Sequence, residues 1–119
     1  MIILFLAIAI ANTPQVYEFC RIENQKWSER YQKFEMQHFS TFYTFQKPQM
    51  IVYEKSFELA RDEHPIVETY QKNGMNCWRE HANSELCYDK RGKQVFWEWN
   101  TRAGDTFRKV MDVCRVNGE

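Results

Sequence analysis

The chain has 119 residues, carries 16 Lys plus Arg against 16 Asp plus Glu, and is 16% aromatic. Its charges cancel and are interleaved along the sequence, so no face is basic enough to displace the counterions of a nucleic acid, and that partner class is excluded. A chain of this length supports one domain with a genuine core, which here must be filled mainly by Phe, Tyr and Trp.

Residues 1–11, MIILFLAIAIA, are an apolar run ending in Ala9-Ile10-Ala11, the small-x-small pattern that signal peptidase cuts after. The run is far shorter than the roughly 20 apolar residues that span a bilayer, so it reads as a signal peptide and not as a transmembrane segment. Residues 12–119 are then expected to be a single domain, secreted and extracellular. No Asn-x-Ser/Thr acceptor occurs, so N-glycans are not expected.

From 16 to 45 the apolar positions 16, 20, 27, 31, 34, 38, 42 and 45 fall in steps of three and four with one place skipped, the stripe of an amphipathic helix. Gln46-Lys47-Pro48 ends it, because the residue before a proline is pushed out of the helical region. The segment 39–45 is also dense in β-formers and could pair with 50–53 as a hairpin.

The stripe resumes at Met50, Tyr53, Phe57 and Ala60, meets Pro65, and continues through Ile66, Val67 and Tyr70 to Asn73-Gly74, which is read as a helix stop. A short segment 77–87 follows. The charged turn 88–92 separates it from a last stripe at Phe96, Trp99, Ala103, Phe107, Val110 and Cys114, with Gly104 a weak point. The spacing predicts an all-α fold, a small disulfide-stapled helical bundle, with an α+β fold carrying a hairpin around 39–53 as the alternative.

In a secreted chain Cys20, Cys77, Cys87 and Cys114 read as a disulfide framework with no free thiol. If the first helix runs about 45 Å and the next segment returns antiparallel, Cys77 arrives near Cys20. That favours Cys20 with Cys77 and Cys87 with Cys114. The other arrangement joins Cys77 to Cys87 across a local loop and ties the chain ends through Cys20 and Cys114.

Chemistry-bearing motifs are sparse. The histidines, at 38, 64 and 81, never stand in a pattern that aligns two imidazoles on one helical face. His81 four residues after Cys77 is a weak zinc pair, and His38 on the aromatic stripe reads as a histidine bonded inside or at the edge of the core. The serines lie in no Gly-x-Ser-x-Gly turn, the paired carboxylates read as solvated faces, and no glycine loop cradles a phosphate. No catalytic residue, metal ligand or cofactor is expected.

Cys77-Trp78, Cys87-Tyr88 and Phe96-Trp97-Glu98-Trp99, leading through Phe107 to Cys114, resemble the closing portion of a nematode secreted domain known as domain of unknown function 19. The resemblance implies a helical fold, extracellular residence and no catalytic residues. The expected function is therefore a secreted, disulfide-bonded binding or interaction module, its partner an unidentified extracellular protein or an apolar ligand. Phe39 and Tyr43, off the helical stripe, are the candidate binding surface. A carrier of an apolar ligand and a small extracellular enzyme are the alternatives.

Overall fold

The computed structural model describes residues 14–43, 47–81 and 84–117, with the backbone alone at His81. The signal-peptide segment lies outside the described residues. Those residues form strands: β1 (Gln15–Ser28), β2 (Lys33–Thr41), β3 (Gln49–Val52), β4 (Ser56–Leu59), β5 (Asp62–Pro65), β6 (Glu68–Lys72), β7 (Met75–His81), β8 (Ser84–Asp89), β9 (Gln94–Asn100) and β10 (Thr106–Val116). Among the described residues there is no helix. The fold is all-β. The helical bundle read from the three-and-four spacing is overturned, and with it the helical fold that the nematode-domain resemblance implies.

The cause is visible in the residues that face inward. In β9 the true period is two: Val95 is fully buried and Trp97 lies against the core, two residues on. In β10 the inward set is Met111 and Val113, opposite Val95 and Phe19. The apparent helical stripe had collected Phe96 and Val110, a cross-strand pair on the opposite face. In β1 the buried residues are Tyr17 and Phe19, and register shifts around Phe19 then bring Ile22 onto the core. A β-bulge adds one residue and so breaks period two into a step of three, which mimics helical spacing. Asn73-Gly74, taken for a helix stop, is the tip of the β6–β7 hairpin, with φ of 52° and 77° at its two residues. That is the dipeptide that a type I′ turn demands.

All pairings are antiparallel, and the sheet runs β5-β4-β3-β1-β10-β9-β8-β7-β6, with β2 added to β1 off this path. The two ends of the path are successive pieces of one bent strand, since only Ile66 and Val67 separate β5 from β6. At the bend Ile66 N–H donates to Lys55 O and Val67 N–H to Arg79 O, each at 2.8 Å. The meander therefore curls until its ends meet. Tyr17, Phe19, Met50, Val52, Phe57, Leu59, Leu86, Val95, Met111 and Val113 fill its interior.

The hairpin alternative around 39–53 is also corrected. Residues 39–41 and 49–52 are strands, but each pairs with a different stretch of β1 and not with the other. β1 bonds β3 through residues 15–18 and β2 through residues 21–28, so the β1–β2 hairpin projects past the short strands as an arm. Trp27 packs edge-on to Phe34 along it, ring centres 5.2 Å apart.

Cys77 and Cys87 sit directly opposite on β7 and β8, 4.1 Å apart at Cα, and are disulfide-bonded. The favoured pairing of Cys20 with Cys77 and Cys87 with Cys114 is thus not the one formed. It rested on helices that bring distant residues level, whereas a hairpin places residues ten apart face to face.

Candidate functional site

Where β1 runs on past the ends of β3 and β4, the barrel is left open. A hollow of about 620 Å³ lies there, its floor set by Ile22, Leu59 and Met111. Leu59 and Met111 belong to the buried core and Ile22 packs on it, so the floor is continuous with the interior. The rim comes from the approach to β3 (Lys47, Pro48, Gln49), from Ile51 and Glu58, from the β4–β5 turn (Ala60, Arg61) and from Lys109 of β10. The volume falls within the roughly 300–1,000 Å³ of small-molecule sites. A mostly apolar floor with a few charged groups above it is the composition such sites share.

A second hollow, of about 400 Å³ on the outer face of β6 to β10, is built from charged groups that satisfy one another. Tyr70 hydroxyl donates to Glu85, Lys72 Nζ lies 3.1 Å from the same carboxylate, and Arg79 pairs with Glu68. Burial pushes the Glu85 carboxyl up, yet the bonds from Tyr70 and Lys72 outweigh it and hold its pKa below the usual value. Arg108 lies over the Phe34 ring at 3.9 Å and the Phe96 ring at 5.7 Å, and its burial lowers its pKa. The bonds that Tyr70 and Lys72 make to Glu85 brace β6 against β8.

His64 was not singled out by motif. It is half-buried in β5, its Nδ1 3.1 Å from Glu80 Oε1, its ring stacked on Phe57 and edge-on to Trp97. An imidazole oriented by a carboxylate is half of a general-base arrangement. Among the described residues no serine, threonine or cysteine hydrogen-bonds to it, and Ser84 Oγ accepts the Trp97 indole N–H at 3.0 Å. The pair ties β5 to β7 across the bend.

The sequence-selected residues are dispersed. Phe39 is 52% exposed on β2 and Tyr43 is 87% exposed just beyond it. The Arg21 guanidinium lies 4.6 Å from the centre of the Phe39 ring. The helical face invoked to join the two does not exist. His38, expected inside or at the edge of the core, is exposed and bonded to Asn24 Nδ2 at 3.1 Å. The zinc pair of His81 with Cys77 fails because that sulfur is in the bridge.

Cys20 and Cys114 are thiols, contrary to the expectation of none. They lie side by side where β1 bulges against β10. Cys20 Sγ is 3.7 Å from Asp112 O, Cys114 Sγ is 3.5 Å from Glu18 O, and Lys47 Nζ is 3.7 Å from Cys114 Sγ. Burial, with Cys114 adjacent, pushes the Cys20 thiol up to about 11. Neither a family model, nor a curated protein, nor a solved structure matches the chain.

Proposed function

We propose that this disulfide-bonded β-barrel is a secreted carrier of a small apolar ligand, acting by binding and not by catalysis. The observation that supports this most is the hollow of about 620 Å³, in which the half-buried Ile22, Pro48 and Ile51 lie over Leu59 and Met111 of the buried core. A curled antiparallel sheet offers a firm wall, and a ligand entering the hollow displaces water from its apolar lining without reorganising the fold. Extracellular residence rests on the apolar run at 1–11 and is supported by the Cys77–Cys87 bridge.

The test is a native mass spectrum of the protein secreted from a eukaryotic host, followed by titration with a polarity-sensitive naphthylamine dye. A retained small molecule, or saturable dye binding abolished by the filling substitution Ile22→Trp in a folded variant, supports the carrier. A protein that retains nothing and binds no dye overturns it.

A second reading has its own observation. Among the described residues β2 pairs only with β1, which leaves one edge of the arm open there, and along the arm Met36 and Phe39 are 53% and 52% exposed. An edge with apolar side chains is a surface to which a protein partner can add a strand. This reading keeps Phe39 and Tyr43 as a docking surface. The double variant Phe39→Ala, Tyr43→Ala separates the two, because it leaves dye binding unchanged and abolishes only association with a protein.

A further inference from the structure

Positive charge predominates around the hollow. Lys47, Arg61 and Lys109 stand on its rim against a single carboxylate, Glu58. Among the described residues none of the three cations makes an ion pair, whereas Arg21, Lys26, Lys72 and Arg79 elsewhere on the sheet each do. Lys109 Nζ rests 5.9 Å from the centre of the Trp97 ring, and among the described residues Lys47 Nζ lies 3.7 Å from the Cys114 sulfur. Their ammonium groups thus remain free to engage a guest.

Arg61 is held there against its backbone preference. The β4–β5 turn places Ala60 and Arg61 at φ of 54° and 68°, a left-handed pair that side chains disfavour. The same chain fills the equivalent positions of the β6–β7 turn with Asn73 and Gly74. Left-handed non-glycine residues also occur at Gln32 and Lys93 in other turns, so at Arg61 the conformation only fixes where that side chain leaves the rim.

Resting on the carrier reading, we propose that the ligand is an anionic amphiphile, a long-chain carboxylate, whose chain lies on the half-buried Ile22, Pro48 and Ile51 over the buried Leu59 and Met111, and whose head is held by Lys47, Arg61 and Lys109. A simple inorganic anion has no use for the apolar floor, and a neutral lipid has none for the cations. Arg61 supplies the planar fork that takes a carboxylate in two parallel bonds, while the lysines contribute point charges. Glu58 on the same rim repels a second negative group, which points to one head and not to a polyanion.

The experiment is calorimetric titration at low salt with three ligands of one chain length: dodecanoate, 1-dodecanol and dodecylammonium. Dodecanoate is expected to bind about tenfold or more tightly than the alcohol, as charge-assisted bonds to a partly desolvated head imply, and the ammonium more weakly than either. The preference should shrink as ionic strength rises. In Lys47→Gln, Arg61→Gln, Lys109→Gln the acid and the alcohol should bind alike. Arg61→Gln alone, at an exposed turn, guards against a folding defect, and unchanged melting and circular dichroism check both variants.

If acid and alcohol bind equally to the unaltered protein, the carrier stands and the anionic head is overturned. Should neither bind, both readings fall. A preference for the acid that survives the triple substitution overturns the assignment to these three residues.

Discussion

Tyr17 shows how burial writes a pH limit into the fold. Its ring meets Tyr88 edge-on with centres 4.8 Å apart, and burial, reinforced by Tyr88, raises its pKa to about 12. In the unfolded chain a phenol ionises near 10. A pKa raised in the native state contributes stability that is fully present below pH 10 and is lost as pH climbs through 12. Urea midpoints measured from pH 9 to 12 should therefore fall, and Tyr17→Phe should flatten that slope. Tyr70, whose pKa burial and Glu85 also raise, accounts for part of what remains.

Ala60 gives a second residue-scale test. Asn accepts φ near 54° more readily than Ala does, so Ala60→Asn should raise stability by about 0.5–1 kcal/mol, read from denaturant midpoints, with ligand binding intact. A loss of stability would mean that the turn is not strained.

Among the elements, the β7–β8 hairpin is stapled and the β1–β10 pair is not. Replacing Cys77 and Cys87 by Ser should cost roughly 2–3 kcal/mol by loop closure over the ten intervening steps. Alkylation of the unreduced, denatured protein should label Cys20 and Cys114 and spare Cys77 and Cys87. Labelling of the native protein should leave Cys20 the slower to react near neutral pH, because its raised pKa keeps it protonated.

Some of this was legible in the residues and some was hidden. Asn73-Gly74 between Tyr70 and Met75 is a hairpin signal, and the alternation of Val95, Trp97 and Trp99 is a strand signal. Both were masked by apolar residues on the outer face, Phe96 and Val110, which occupy positions that a one-sided strand would leave polar. Phe96 is covered there by Arg108. The bulge at Cys20 hid β1 in the same way, and the local bridge of the two arrangements considered is the one found. The hollow was not foreseeable from motifs. Its floor comes from β1, β4 and β10, and its cations from three segments that only the curled sheet brings together.

On the scale of the whole molecule, the fold depends on one long strand. β1 bonds β10 along nearly its whole length and shares its other edge between β3 and β2. Loss of packing in the interior propagates to every element, so Phe57→Ala, at a fully buried ring, should cost about 3–5 kcal/mol in chemical denaturation. Far-UV circular dichroism should show a β spectrum without helical minima. The many pairings distant in sequence place refolding on the millisecond-to-second scale of β proteins.

The pairing of the first strand with the last also sets a timetable for synthesis. Tyr17 pairs with Val116 and Lys26 with Phe107, so β1 leaves the ribosome long before its main partner exists. At about 5–20 residues per second, the wait is of the order of several to twenty seconds. The β1–β2 hairpin covers one edge in that interval, while the edge awaiting β10 stays open with Phe19 and Ile22 uncovered. Chains ended at residue 105 are consequently expected to retain two exposed strand edges, β1 and β9, and to sediment as aggregates where the full chain stays monodisperse. The sheet can be completed only when β10 is in place, so a chain stalled or clipped before Thr106 becomes a sticky sheet instead of a slightly smaller fold.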